Sequence, residues 1–344
     1  MGRGTYAGRR YLSPDSIARM EIPKSTDAAR LGFDAGAGLG VLAEPAKRKV
    51  RVYGHDGGID GFNAAYRYAP DANAGYVMMV NRIAPEVFEA REEIMAYLLR
   101  GVPDPESRNV PVAKEQEDKW SGAYVSISPR IQKLTVFEDL VAMQTVSFDG
   151  GVATINGETQ THLGGGRFAI AGSAAPSYLI HDAGGQTRLE YVGGVARKLA
   201  GWEVAARFAF AGGFALSLLG SIAYALVWIP SAAWGRLRAR GGVTVRLLPA
   251  LGPLTVALAI FALMSILVRD DIEELAMPTV WGWILAASTV AIPAIAAASA
   301  LTLVLRRASV PLAPWIAGWL CVAVTAVAAA HVFAYGAVGF RIWS

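Results

Sequence analysis

Four long stretches without a charged residue constrain the fold more than any other feature. The stretches that contain no Asp, Glu, Lys or Arg are residues 208–235, 247–268, 275–305 and 308–340. A helix needs about 20 apolar residues to cross a hydrocarbon core of about 30 Å. Buried helices of a soluble protein are the alternative, but four in succession would need a very large soluble shell around them. The sequence therefore predicts a four-helix transmembrane region over residues 201–344. The predicted helices are residues 206–230, 246–268, 277–305 and 311–340.

The charges between these stretches predict an orientation. The first connection, residues 236–246, contains four arginines, and the third contains Arg306 and Arg307, whereas residues 269–274 are acidic overall. Arginine-rich loops remain on the cytoplasmic side. We therefore expect a multi-pass protein of the cell (inner) membrane with residues 1–200 outside the cytoplasm. The apolar stretches themselves contain no acidic residue or arginine that would mark a transport pathway.

The charge distribution and the single cysteine argue against nucleic-acid binding, an intrachain disulfide and a cysteine metal site. The formal net charge is +4, and the nine arginines and five acidic residues after residue 200 account for all of it. Residues 1–200 are therefore neutral and offer no basic face to nucleic acid. The single cysteine, Cys321, lies in the fourth apolar stretch, so neither an intrachain disulfide nor a cysteine metal site can form. The sequence predicts no metal and no cofactor, and it predicts membrane lipid as a partner.

The first residues leave the export route open. Residues 1–10 lack the apolar segment of a signal peptide, yet about 200 residues are expected outside the cytoplasm. One explanation is that the chain is the C-terminal part of a longer protein whose export signal lies upstream. The other is that the globular part is cytoplasmic and the arginine distribution misleads.

Residues 1–101 have the pattern of an α+β domain. Ser13 and Pro14 predict the start of a short helix that reaches residue 20. Apolar or alternating segments predict strands, and residues 85–99 have helical periodicity. The predicted strands are residues 31–42, 50–53, 62–68 and 76–81. Residues 102–117 have the composition of a linker.

Residues 118–200 have the pattern of a small antiparallel barrel or sandwich. Short apolar runs alternate with glycine-rich turns, and Asn156-Gly157 is a strong hairpin signal. The predicted strands are residues 122–127, 131–137, 140–148, 152–155, 167–170, 177–181 and 188–192. His162 and His181 are expected at the surface or in turns.

Three segments of the first hundred residues carry a family resemblance. They read GTYAGRRYLSPDSIARM at residues 4–20, GHDGGIDGF at residues 54–62, and APDANAGYVMMVN at residues 69–81. Together they resemble the C-terminal third of the serine β-lactamase-like hydrolases, which include class C β-lactamases, D-alanyl-D-alanine carboxypeptidases and esterases. The middle segment looks like that family's third motif, a Lys-Thr-Gly or His-x-Gly triplet at the edge of the active site. An appended β-domain and transmembrane helices also occur in this family.

The resemblance implies a role for each residue of the middle segment. His55 stands where the family has a cation, so it would hold the substrate carboxylate or assist proton transfer. Asp56 stands where the family has a hydroxyl residue that contacts substrate, and Gly57 would let substrate approach the strand. Gly58 would donate its backbone N–H to the oxyanion hole, where negative charge develops. The alternative is a tight bend in which His55 bonds to Asp56 or Asp60.

The other two family motifs are missing from this chain. None of its lysines has a Ser or Thr three residues before it, so there is no Ser-x-x-Lys nucleophile, and there is no Tyr-x-Asn. Three hypotheses remain. The chain is the C-terminal part of a membrane-anchored serine hydrolase, inactive alone, whose partner is the missing N-terminal part of the hydrolase domain. It is a non-catalytic binding or accessory protein of the cell envelope. Least supported is a transport or sensing subunit.

Overall fold

The chain forms two compact units. The computed structural model describes residues 3–24, 27–33, 35–44, 50–59, 61–82, 84–103, 109–128, 135–136, 139, 143–170, 173, 176–236, 242–267 and 277–341. The first unit contains Met1–Arg130 and Val141–Leu199, and the second contains Ile131–Leu140 and Ala200–Ser344.

The first part of unit one is a five-stranded antiparallel sheet in the order β3-β4-β5-β6-β7. Its elements, with a small leading hairpin, are β1 Thr5–Tyr6, β2 Arg9–Arg10, α1 Pro14–Glu21, α2 Asp27–Arg30, β3 Gly36–Ala37, β4 Leu42–Glu44, β5 Val52–Ile59, β6 Phe62–Ala69, β7 Ala74–Val80 and α3 Pro85–Leu98. Helix α3 packs on the sheet, and a small core of Val52, Ala69 and Leu99 lies beneath it. The central hairpins therefore hold the sheet together.

The sequence located some of these elements correctly. The side chain of Ser13 accepts a bond from the Ser16 amide at 3.0 Å, which confirms the predicted cap of α1. The predicted helix at 85–99 is also confirmed. The long strand predicted over 31–42 is wrong, because the chain bends at Gly32 and Gly40, which adopt φ of +81° and +71°. In the described residues of this segment, two short strands form, β3 and β4.

The second part of unit one is a closed antiparallel barrel. Eight strands of the described residues follow the order β10-β11-β12-β13-β14-β15-β8-β9, and helix α4, Lys114–Trp120, precedes them. The strands are β8 Gly122–Ser126, β9 Met143–Asp149, β10 Val152–Ile155, β11 Glu158–Gly164, β12 Arg167–Ile170, β13 Tyr178–Ala183, β14 Gln186–Tyr191 and β15 Gly194–Lys198. Trp120, Tyr124 and Phe168 fill the interior. Asn156 and Gly157 both have positive φ and turn the predicted hairpin.

Two expectations for the barrel need correction. Strands β11 and β15 were not predicted, and the strand predicted over 131–137 is wrong at Thr135 and Val136, which are helical; its other residues lie outside the described residues. His162 and His181 lie in strands and not in turns. The ring Nδ1 of His162 is 2.8 Å from the Val110 carbonyl oxygen, and His181 Nε2 is 2.8 Å from Glu190 Oε1.

The second unit contains four helices, in its described residues, that are long and apolar enough to cross a membrane. They are α5 Gly201–Ala233, α6 Thr244–Leu267, α7 Val280–Leu305 and α8 Leu312–Ala334. Glycines bring three of them close: a Cβ on Gly252 would lie 2.1 Å from Thr325 Oγ1, and one on Gly318 would lie 3.0 Å from Leu303. Helix α5 is peripheral within this unit, since only 6% of its most apolar 18-residue segment is buried. In the other three helices the buried share of that segment is 39–44%.

One residue changes how the spans are interpreted. Arg246 was counted with the arginines of the first connection, and it is also the first residue of the predicted helix 246–268. It is the third residue of α6, and it is buried, which the sequence did not indicate.

Candidate functional site at the open edge of strand β5

The Gly-His-Asp-Gly-Gly segment lies in an extended strand and not in a bend. Residues 54–58 belong to β5, and β6 pairs with that strand from Tyr53 to Ile59, with His55 opposite Tyr66 and Gly58 opposite Asn63. On its other side β5 pairs with β4 only as far as Gly54. In the part of the chain that the structure describes, no strand covers that second edge from residue 55 to residue 59.

The register shows which backbone groups face this open edge. Ile59 is paired with Phe62 across a two-residue connection, and the pair that closes such a hairpin exchanges both backbone hydrogen bonds. Bonded pairs alternate along an antiparallel ladder, so Gly57 and His55 also direct their N–H and C=O groups to β6. Asp56 and Gly58 therefore direct theirs away from β6, to the open edge.

The side chain of His55 lies on one face of the sheet beside a row of tyrosines. It is exposed, and its ring Nδ1 is 2.6 Å from the Asp56 carbonyl oxygen. The rings of Tyr66 and Tyr68 stack at 6.4 Å, and the Tyr68 hydroxyl donates to Glu21 at 3.0 Å. Burial, reinforced by this bond to Glu21, raises the pKa of Tyr68, so the phenol stays protonated. This face thus offers an imidazole and phenols.

The side chain of Asp56 lies on the opposite face, in an ionic network with α3. Arg67 donates to both carboxylate oxygens of Asp56, at 2.8 and 3.1 Å, and Arg91 Nη1 lies 2.8 Å from Asp56 Oδ1. Arg67 also donates to Glu44 at 2.9 Å. Burial raises the pKa of Glu44, although Arg67 acts against this shift. Because its carboxylate is occupied, Asp56 has only its backbone groups at the open edge.

The glycines of β5 differ in what the fold demands of them. A Cβ on Gly54 would lie 2.1 Å from the Tyr66 carbonyl oxygen, so packing excludes a side chain there. Nothing lies within 4 Å of such a Cβ on Gly57, and the nearest atom to one on Gly58 is 3.9 Å away. Neither residue has a positive φ. Among the described residues, neither conformation nor packing therefore requires glycine at 57 and 58.

The same face as His55 also exposes large apolar side chains. Ile59 and Phe62 are 70% and 57% exposed, and Val77 and Met79 on β7 are 70% and 79% exposed. Strand alternation and register place all four on the His55 side of the sheet. A contiguous apolar face of this kind marks a contact surface.

The structure brings together residues that the sequence did not connect. The four predicted site residues are consecutive in the chain, so the sequence alone places them close together; they are His55, Asp56, Gly57 and Gly58. Arg67, Arg91 and Glu44 were missed, because they meet Asp56 only through strand pairing and helix packing. The one signal in the sequence is a charged residue, Arg67, between two tyrosines of a strand that contains no other charge.

The fold defines a membrane protein with an antiparallel sheet, a closed barrel and spanning helices. No protein-family model matches the chain. No curated protein matches it either. Solved structures with some likeness include the octameric penicillin-binding protein homologue from Pyrococcus abyssi, at 18% identity and a TM-score of 0.22, over 55% of this chain and 42% of that one. SurE with D-Leu is 18% identical with a TM-score of 0.30, over 55% and 44% of the two chains. SurE alone is 16% identical with a TM-score of 0.27, over 55% and 43%. The chain thus spans less than half the length of each of these structures, and TM-scores of this size define neither a shared fold nor an activity.

Proposed function

We propose that the chain is the membrane-anchored C-terminal part of a serine hydrolase of the β-lactamase-like type. The observation that carries this proposal is the pair Gly57 and Gly58. The fold does not need glycine at either position, yet both lie beside His55 at an open strand edge. Glycines that the fold does not use allow the backbone of another molecule to come close.

The residues at this edge have different roles in the proposed acyl transfer. The Gly58 N–H donates to the oxyanion that forms when a nucleophile attacks the substrate carbonyl. The Asp56 N–H holds the substrate along the strand, while its carbonyl oxygen stays with the His55 ring and its carboxylate with Arg67 and Arg91. Gly57 leaves room for the substrate, and His55 binds its carboxylate or moves a proton.

The nucleophile comes from outside these residues. A serine activated by a lysine is needed to form the acyl intermediate, and the chain has no Ser-x-x-Lys. The exposed apolar face around Ile59 and Met79 suits the remainder of the hydrolase domain, encoded upstream, as its cover. The chain alone is then inactive.

One observation favours a second candidate, a non-catalytic binding protein of the cell envelope. An open strand edge binds an extended peptide by adding a strand, without any nucleophile. The edge from residue 55 to residue 59 offers this.

A labelling experiment tests the proposed hydrolase. The chain and the longer polypeptide encoded with its upstream region are purified in detergent and treated with a fluorescent penicillin and with p-nitrophenyl acetate. We expect covalent labelling and turnover only in the longer polypeptide. Labelling of the chain alone, or no labelling of either, contradicts the proposal.

Two substitutions at one position test the oxyanion role in the longer polypeptide. Gly58→Pro removes the outward N–H, which an edge strand tolerates, whereas Gly58→Ala keeps it and has open space for its methyl group. We expect Gly58→Pro to lower kcat by about 10²–10³-fold. Gly58→Ala should retain near-parental turnover. Equal turnover in the two variants rules out the Gly58 N–H as the donor.

A further inference from the structure

The membrane unit contains a cavity of about 280 Å³ between helices α5, α6 and α8. Most of its wall is apolar, with Leu216, Ala250 and Leu320 among the lining residues. Arg246 and Tyr224 line one end of it, and the hydroxyl groups of Ser217 and Ser221 line it further along α5. The cavity therefore has the character of a site for an amphipathic molecule.

Arg246 is held in place at that end. Its Nε donates to the Tyr224 hydroxyl at 3.1 Å, and its Nη1 donates to the Gly242 carbonyl oxygen at 2.7 Å. The residue is only 6% exposed. The cavity wall thus includes a buried guanidinium that its protein contacts hold in one position, and a guanidinium favours a phosphate or carboxylate as its ligand.

The depth of the cavity matches one leaflet of a bilayer. Arg246 is the third residue of α6, at the end of the connection predicted to be cytoplasmic. On α5 the lining runs from Trp228 to Leu216, which is about 18 Å along a helix at about 1.5 Å per residue. Tryptophan at the first of these levels is typical of a membrane interface. The charged end therefore lies at head-group level and the apolar end at acyl-chain level.

We propose that this cavity binds an anionic phospholipid of the cytoplasmic leaflet. The lipid phosphate accepts hydrogen bonds from Arg246 and from the polar groups beside it, and the first part of one acyl chain lies along Leu216 and Leu320. The cavity is smaller than the about 300–1,000 Å³ of most ligand pockets, so the rest of the lipid remains in the bilayer. The other possible source of the same anion is free phosphate.

Native mass spectrometry of the full chain tests the site. The protein is delipidated in detergent and titrated with phosphatidylglycerol or with phosphatidylcholine of the same acyl chains. Both lipids offer the same phosphate, but the choline ammonium of phosphatidylcholine is repelled by the nearby guanidinium of Arg246. We therefore expect phosphatidylglycerol to bind about 10-fold more tightly. Equal retention of the two lipids overturns the proposal.

Matched variants separate the cavity from general surface charge. Arg246→Gln should remove the preference for phosphatidylglycerol, whereas Arg236→Gln, at an exposed arginine over the Trp234 ring, should keep it. The opposite result, or equal losses, overturns the proposal.

A second pair of variants keeps the test valid if Arg246→Gln does not fold. Gly220→Leu fills the cavity and leaves its charge unchanged, and Gly212→Leu is the control on the same helix outside the cavity. We expect only Gly220→Leu to lose phosphatidylglycerol by about 10-fold. If both bind alike, or if millimolar inorganic phosphate displaces the lipid from the parent protein, the cavity is not a phospholipid site.

Discussion

Glycines of one strand, three or four residues apart, do different things in this molecule. Gly54 allows β5 to lie against the Tyr66 carbonyl, so its missing side chain serves the fold. Gly57 and Gly58 have open space around them, so their missing side chains serve a molecule that approaches from outside. The distinction rests on distances from a hypothetical Cβ, and it can be measured.

Alanine at these positions should separate the two kinds of glycine. Gly54→Ala forces a methyl group to 2.1 Å from a backbone oxygen and should destabilise the sheet by about 1–3 kcal/mol. Gly57→Ala meets nothing within 4 Å and should leave the stability unchanged or raise it by up to about 1 kcal/mol. Hydrogen exchange of the amides of β6 and β7 in the full chain measures both. Faster exchange in Gly57→Ala than in Gly54→Ala refutes the assignment.

His162 predicts how the stability of the barrel depends on pH. Burial lowers the pKa of His162 below its ordinary value near 6.5, although the bond to Val110 acts against the shift. The unfolded chain therefore takes up a proton at a pH where the folded barrel does not. The stabilisation is complete above about pH 6.5 and is lost as the pH falls below it.

The measurement compares thermal unfolding of the barrel at pH 7.5 and pH 5.5. The parent protein should lose stability at the lower pH, and His162→Gln should show a smaller loss. Val152→Thr, at a half-exposed barrel position, should retain the parental loss. A parental pH dependence in His162→Gln contradicts the prediction.

At the scale of elements, the four long helices and strands β6 and β7 could be predicted from the sequence, whereas most of β5 and parts of the barrel could not. Helices α5 to α8 follow from runs of apolar residues, which need no tertiary information. Strand β11 was missed because two of its inward positions hold Gln160 and His162, which are buried polar residues that remove the apolar alternation. The open edge at His55 was equally hidden, since a sequence does not show how far a neighbouring strand extends.

The network that joins β5, β6 and α3 gives a prediction at this scale. Arg67→Met leaves the carboxylates of Glu44 and Asp56 without their shared cation, while the side chain of Arg67 is only 12% exposed. The ion pair between Arg67 and Asp56 contributes less to stability than the pair with Glu44, because the Asp56 side chain is 44% exposed. We expect Arg67→Met to lower the free energy of unfolding by about 1–3 kcal/mol.

Lys114→Met is the control for this change. Lys114 pairs with Glu117 and Asp118 but is 77% exposed, so its removal should leave the free energy of unfolding nearly unchanged. Chemical denaturation of both variants, followed by the near-ultraviolet signal of the tyrosines, measures the difference. A larger loss in Lys114→Met than in Arg67→Met contradicts the proposed importance of the network.

At the scale of the whole molecule, the arginine-rich connections predict which side each unit faces. In a Cys321→Ala background, a cysteine at Gln186, which is exposed on the barrel, should react with a membrane-impermeant maleimide in outer-permeabilised cells. A cysteine at Arg307, in the connection before α8, should react only after lysis. The reverse pattern means that residues 1–200 face the cytoplasm.

The peripheral position of α5 has a consequence for biogenesis. This helix leaves the ribosome before the other three, and it buries the least surface against protein. It must therefore be stable in lipid alone, before any neighbour has been synthesised, as independent insertion of single helices requires. The later three pack closely through Gly252 and Gly318, so they reach their final state only as a group. Attachment to the membrane is thus complete at the first helix, and a chain that terminates after residue 236 would remain attached.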